Sequence, residues 1–587
     1  MKDYRKILQF VKPYWKLAIA ALIMLVLMAL GDLAIPRLIE RSIDQGVKQN
    51  RMDVVLHTSA IMVGISIFSA VVAALNNVFS IRTGESVARD MREAIFVKIQ
   101  QFSYGDLDHF NTGKLMVRLT SDVSAVQRLV QVSLRIGTRA PLLMVGSIIL
   151  MFMTSTRLAT AMIPVLLITL IVIVLFSTRM EPLFRTVQNK LDYLNTVLQE
   201  NIAGAHLIKA FVRADYETQR FDEANDDLTD HTIRVMQFMA TMSPVLTMFV
   251  NIGIVLVIWY GGLQTIAGDL QIGQIIAFTN YLLTTMTPII LMAQLSNVWA
   301  NGSASIRRIN EVLDTDPEVR FRDDACALAE EMDDRVDFRN VNFHYRGSRE
   351  VEVLQDIDLY SQPGEFVAVL GATGAGKSSL VNLIPRFYDV TDGEILVGGM
   401  NVRDLQEGSL LSRIGIVPQE SILFSGSVRE NICYGKPDAG EDEIIHAAQI
   451  AQAHDFIMQM PQGYETFIEE RGVNLSGGQK QRISIARAII DQPRILILDD
   501  ATSAVDVETE TYIQDGLRAS LHGCTIFIVA QRISTVLNAD KIIVLDKGHI
   551  VAHGNHDQLM KSSTIYREIY DSQLGNGFHE QDGKEVE

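Results

Sequence analysis

"FVAVLGATGAGKSSL", residues 366–380, decides one half of this fold. A short apolar run of strand-forming residues ends at a glycine, and a helical run begins after Lys377 and Ser378. Strand, loop and helix in that order are what a phosphate-binding loop needs. Gly371, Ala372, Thr373, Gly374, Ala375, Gly376, Lys377, Ser378 and Ser379 carry it. The small residues let backbone N–H groups wrap the phosphates, and the helix N-terminus adds a favourable dipole. Lys377 neutralises the β- and γ-phosphates, while the Ser378 hydroxyl reaches Mg2+.

Working outward, "ILILD" (495–499) ends in Asp499, expected to hold the magnesium through its coordination shell. Gln419, in "GIVPQESILFSG" (415–426), also follows an apolar strand. Its amide either accepts the metal or positions a water; alone it is an ordinary surface glutamine. In "LSGGQKQRISIARAI" (475–489) a serine and two glycines open a helix, which is a second ready-made anion site. A chain with its own phosphate loop and a second phosphate-binding helix start implies a second nucleotide, supplied by another subunit.

The rest of the chain is of a different kind. Its 587 residues are too many for one domain, and 48% are hydrophobic. With a mean hydropathy of +0.18, part of it is expected in a bilayer. The net charge of −17 argues against a nucleic-acid partner, because that binding rests on Lys and Arg neutralising phosphates. Cys326, Cys433 and Cys524 are far apart and form no CxxC, so neither a disulfide framework nor a zinc site is indicated. The N-terminal "MKDYRKILQFVKPYWK" is basic and amphipathic and has no small-residue cleavage site before the first apolar run.

Six apolar runs fill the first half, at 17–35, 54–79, 140–153, 159–176, 244–263 and 275–295. Each reaches, with its flanks, the roughly 20 residues needed to cross about 30 Å of hydrocarbon. Only "TSTRL" (154–158) separates the third from the fourth. Lys2, Arg5, Lys6, Lys12 and Lys16 against Asp3 alone place the N-terminus in the cytoplasm. Two long polar, helical segments, 80–139 and 178–236, then fall on the cytoplasmic side, and short links such as "AGDLQIG" (267–273) fall outside. The tips of the long segments either touch a soluble domain or stay solvated. Trp15, Trp259 and Trp299 lie near span ends, as interfacial anchors do. The expected architecture is multidomain. An all-α, six-helix membrane domain with long cytoplasmic extensions (1–310) leads through an acidic connector (311–334) to an α/β P-loop nucleotide-binding domain (335–575). A polar tail, 576–587, is expected to be disordered.

"LSGGQ" with a phosphate loop upstream and "LDD" (498–500) downstream resembles the nucleotide-binding domain of ABC transporters. Six spans fused before it resemble a half-transporter of the exporter type, over nearly the whole chain. The resemblance implies ATP as the nucleotide, with Mg2+. It implies that Tyr345, in "VNFHYRG" (341–347), stacks on adenine. Ser476, Gly477, Gly478 and Gln479 would reach the γ-phosphate of the partner's ATP, and Asp506 would lie on the loop running along the dimer interface. Segments 106–113 and 214–221 look like the coupling helices, the second of which docks on the opposite subunit.

Two positions depart from the family pattern, which has Asp-Glu at the strand end and His in the switch. Here they are Asp500 and Gln531, the latter in "IFIVAQRIST" (526–535). Asp is one methylene shorter, so its carboxylate falls about 1 Å or more short of a glutamate's, where placement governs in-line attack. Gln can neither carry a positive charge nor relay a proton as imidazole does. The expected site binds ATP but hydrolyses it slowly or not at all, while the intact signature serves the partner's site. Two identical copies would make two weak sites. The resemblance is therefore to the degenerate-site subunit of bacterial heterodimeric multidrug exporters, with "RAPLL" (139–143) and "FTNYLL" (278–283) matching the same subgroup.

The implied function is ATP-driven export of hydrophobic or amphipathic compounds across the cell membrane, from the cytoplasm or inner leaflet, with hydrolysis mainly at the site the partner completes. A lipid flippase of the same architecture and an ATP-gated channel are the alternatives. The partners implied are a second half-transporter, the bilayer and a small-molecule substrate. Asp32, near the outer end of the first span, is either an outer gate residue or an acid wetted at the interface. Asn251, Asn280, Gln294 and Asn297 either line a cavity or bond between helices. Met236, Met239, Met242, Met248, Met286 and Met292 either suit a promiscuous apolar cavity or face lipid.

Overall fold

The computed structural model describes residues 2–322, 324–329, 332–346 and 352–574. The tail expected to be disordered, 576–587, lies outside them. The chain forms two compact units, Met1–Gln100 with Gly113–Thr315, and Gln101–Thr112 with Asp316–Glu587.

The first unit is helical. The six apolar runs lie on helices Trp15–Arg41, Met52–Gln100, Arg139–Thr154, Thr156–Ala203, Ala214–Ile266 and Ile272–Asp314. Among the described residues, five stretches are long and apolar enough to cross a bilayer: Lys6–Val47, Met52–Gln100, Thr112–Thr154, Thr156–Ala203 and Ala214–Ile266. The sixth run lies on Ile272–Asp314; the side chains of Met292, Gln294 and Asn297 are outside the described residues. Ala214–Ile266 has 53 residues, so it is about 80 Å long where about 30 Å suffices to span hydrocarbon. Its polar half continues well past the apolar part.

The sharp reversal read from "TSTRL" is a single residue, Ser155, in extended conformation, whose hydroxyl accepts from Leu158 N. Farther along, the polar extensions are tied by ions. Asp122, 2% exposed, accepts from Arg308 Nε and Ser305 Oγ, both at 2.9 Å, and Arg118 reaches Glu311 at 2.7 Å. All three tryptophans are exposed, as anchoring requires.

One expectation needs correction and one is extended. Asp32 stands three residues from the end of the apolar run 17–35, but its helix runs on. A π-helical segment, Ser42–Val47, extends Trp15–Arg41 beyond the apolar run, which leaves Asp32 roughly 20 Å short of the end. Its carboxylate pairs with Arg139 at 2.7 Å. In the second cytoplasmic segment the short helix is Ala205–Ala210, not 214–221, which opens Ala214–Ile266. The preceding helix stops at Gly204, and Val212 at φ 52° completes the reversal.

The second unit is built on a six-stranded sheet. Strands Ile414–Val417, Ile495–Asp499, Thr525–Ala530, Phe366–Gly371 and Lys541–Asp546 run parallel in that order, and His549–Gly554 closes the edge antiparallel. "FVAVL" reads as continuously apolar because both faces are covered. Phe366, Ala368 and Leu370 enter one core cluster, Val367 and Val369 the other. A smaller antiparallel sheet is ordered Leu354–Ser361, Val336–Phe343, Asp392–Val397, Met400–Asn401.

Candidate nucleotide site

The phosphate loop leaves the central strand at Gly371 and enters helix Lys377–Asn382. Gly376 sits at φ 101°, and a Cβ there would lie 2.9 Å from Val353 O, so the turn into the helix needs glycine. Ala372, Thr373 and Gly374 are exposed along the loop; Ala375, Lys377 and Ser379 are buried. Lys377 Nζ donates to Gly371 O at 2.8 Å and Ala372 O at 3.0 Å. Ser378 Oγ donates to Asp499 Oδ1 at 2.8 Å. That pair sets two hard oxygen donors side by side, the donor type Mg2+ takes, so the residues present fit the metal. Gln419 is exposed and follows strand Ile414–Val417, whose Val417 is in register with Leu498. It thus shares the sheet edge that carries Asp499. Burial raises the Asp499 and Asp500 carboxyls above the usual carboxylate range and lowers Lys377, while the mutual attraction of acid and lysine opposes each shift.

Asp500 and Gln531 arrive at that edge on neighbouring parallel strands, with Val529 opposite Asp499. Asp500 takes φ 50°, strained for a non-glycine residue. Gln531 Nε2 donates to Asp500 Oδ2 at 3.0 Å, so the two departures from the family pattern form one hydrogen-bonded pair. Tyr345 lies beside the phosphate helix, its hydroxyl 2.8 Å from Ser379 Oγ and its ring edge-on to Tyr388 at 5.2 Å.

The signature helix, Gly477–Ile489, is capped by its own residues. Gln479 N donates to Ser476 Oγ at 3.3 Å, and Ser476 N to Gln479 Oε1 at 3.0 Å. Ser476 and Gly477 are exposed. A Cβ on Gly478 would come within 2.8 Å of Ala504 O, which explains the second glycine. Asp506 is exposed and caps helix Val507–Ser520, accepting from Thr509 N at 2.9 Å, a bond that holds its carboxyl below the usual range.

Three residues that the motifs did not single out complete the arrangement. Gln481 accepts from Ala504 N at 2.9 Å and donates to Ser503 Oγ at 3.1 Å, which ties the signature helix to the loop after Asp500. Arg532 donates to Ser503 O at 3.1 Å and Val505 O at 3.2 Å. Tyr388 donates to Asp108 at 2.7 Å. Asp108 belongs to helix Tyr104–His109, the tip of the first cytoplasmic segment, which overlaps only part of the expected 106–113. Tyr104 stacks on Phe387 at 3.9 Å, and buried Asp106 accepts from Glu318 N at 3.1 Å.

Residues 18–289 match the model of the ABC transporter transmembrane region, and residues 354–503 that of the ABC transporter. The chain is 38% identical to the uncharacterized ABC transporter ATP-binding protein YfiB of Bacillus subtilis, over 97% of this chain and 99% of that one. It is 37% identical to the ATP-dependent lipid A-core flippase of Syntrophus aciditrophicus, over 84% and 81%. With a putative multidrug export ATP-binding/permease protein of Staphylococcus aureus it shares 34%, over 97% and 99%. A solved bacterial Atm1-family ABC exporter with ATP bound superposes with a TM-score of 0.79 at 26% identity, covering 95% of this chain and 98% of that one. The chain belongs to the ABC exporters as a half-transporter, a multi-pass membrane protein whose ATP-binding domain is cytoplasmic.

Proposed function

We propose that this half-transporter works beside an unlike partner and exports hydrophobic or amphipathic compounds. In this proposal its own ATP site is a slow or silent one, and its signature completes the fast site. The observation that carries the proposal is the Asp500–Gln531 bond at 3.0 Å, which engages the short carboxylate with a group that cannot protonate as histidine can. The binding apparatus around it is intact, with Lys377, Ser378, Asp499 and Tyr345 in contact with one another or their loop. Bound Mg2+ would supply positive charge to offset that of the nucleotide phosphates. Ser378, Asp499 and Gln419 would hold it. The membrane domain is taken as 1–310, the connector as 311–334 and the ATP-binding domain as 335–575.

Surfaces left uncovered in the single chain support a second subunit. Phe211 and Val212 at the second cytoplasmic tip are exposed, Val212 by 87%. In the ATP-binding unit, exposed Phe424 and Tyr434 stack at 4.8 Å. A groove of about 730 Å³ beside Ser243, Thr247, Met248 and Asn251 offers mixed polar and thioether contacts suited to amphipathic cargo. Lipid translocation is the second reading, favoured by the similarity to the lipid A-core flippase.

The test is single-turnover hydrolysis by the chain assembled with a half-transporter that carries Glu and His at the two positions, after that partner's glutamate is replaced by Gln. Hydrolysis at background is the expected result. Fast hydrolysis with Asp500 and Gln531 unaltered, or brisk turnover by the chain on its own, would refute the proposal.

A further inference from the structure

We propose that Glu510 is a positioning residue that makes the loop after Asp500 and the switch after Gln531 move as one piece. The inference rests on the reading above, in which the signature, braced by that loop through Gln481, completes a nucleotide site with the second subunit. Glu510 sits one turn into helix Val507–Ser520 and is 3% exposed. One of its oxygens, Oε1, accepts two hydroxyls, Thr502 Oγ1 at 2.6 Å and Thr535 Oγ1 at 2.8 Å. Thr502 lies in the loop between Asp500 and Asp506. Thr535 lies in helix Ile533–Val536, which Arg532 alone separates from Gln531. One atom therefore joins the two segments that carry Asp500 and Gln531.

The other oxygen, Oε2, is buried with no hydrogen-bond partner. The nearest cation is Arg532, whose Nη1 is 3.9 Å away. That guanidinium is engaged instead with Ser503 O and Val505 O. Burying a carboxyl without filling both oxygens costs free energy, but the buried Thr502 and Thr535 hydroxyls need an acceptor here. What the carboxyl provides is two accepted hydroxyl bonds at one point and a charge facing Arg532, so a shift of one segment against the other breaks at least one of the two bonds. Gln514 Nε2 adds a third strap from the same helix to Thr535 O at 3.2 Å.

The test uses the full-length chain in the assembly in which it hydrolyses ATP. Glu510→Ala is expected to lower kcat about tenfold with KM for ATP within twofold, because the nucleotide contacts are untouched. Glu510→Gln keeps an acceptor for both threonines and should retain turnover to within about threefold. Thr502→Val with Thr535→Val should reproduce most of the Glu510→Ala loss and add little to it, as groups acting as one unit do. A merely structural role would lower melting temperature and yield while leaving kcat per folded molecule and additivity unchanged; that result overturns the proposal. If Glu510→Ala does not fold, the threonine pair decides, and unchanged kcat there overturns it equally. Ser476→Ala run in parallel separates the two readings. Loss of turnover with Ser476→Ala but not with Glu510→Ala removes only the role of Glu510. Normal turnover in both removes the reading of the signature itself.

Discussion

The phosphate loop and the signature are both helix N-termini with a serine and glycines, yet they are finished differently. Around Lys377 the chain supplies its own completion: the lysine is buried, Ser378 meets Asp499, and Tyr345 covers the flank. Around Ser476 the chain supplies only the cap. Its hydroxyl is used by Gln479 N, its surface is open, and the residues that hold it from behind, Gln481 and the loop 500–506, fix the helix rather than enclose a ligand. A helix start finished by its own chain is a pocket; one braced from behind and open in front is a surface.

The difference can be broken from either side. The largest effect is expected from Gly477→Asp, which places a carboxylate where a phosphate would approach an exposed helix start. Removing one such electrostatic contact costs on the order of 100-fold in turnover. Steady-state ATPase activity of the assembled transporter measures it, and near-normal activity would erase the contrast. Lys377→Ala comes next. Losing one charge-assisted phosphate contact of about 2 kcal/mol should weaken ATP binding at this chain's site roughly 30-fold and leave hydrolysis at the other site partly intact. Photolabelling of each chain with a nucleotide analogue tests this, and equal loss of label on both would remove the asymmetry. The smallest effect sharpens the contrast. Asp500→Glu restores reach but leaves Gln531 in place, so hydrolysis at this site should recover only a few-fold. Asp500→Glu with Gln531→His should exceed the product of the single changes, because both act on one water and one phosphate. Single-turnover assays with the other site disabled read it out.

What was legible in the sequence followed the length scale of the interaction. The phosphate loop, the signature and the apolar runs are contiguous, so their chemistry shows in fewer than about twenty residues. The helices carrying the apolar runs and the strands "FVAVL" and "ILILD" were readable for the same reason. The helix beyond Asp32 was not legible because hydropathy ends where apolarity ends, whereas the helix runs on through Ser42–Val47. The second tip was misjudged because Ala214–Phe221 is as helical in pattern as Ala205–Ala210, and only the break at 211–213, with Val212 at φ 52°, separates them. Gln481 and Arg532 each lie within three residues of a motif residue, yet their partners are about twenty to thirty residues away in sequence. No local pattern announces such a tie. Tyr388 reaches 280 positions back to Asp108.

That last contact has a consequence for anyone who would cut the molecule in two. Twelve residues inside the membrane half of the sequence belong by packing to the other half. A fragment beginning at Asp316 would expose the Phe387 face that Tyr104 covers and leave the Tyr388 hydroxyl without Asp108. The cytoplasmic unit is therefore not a detachable module with a linker at one end.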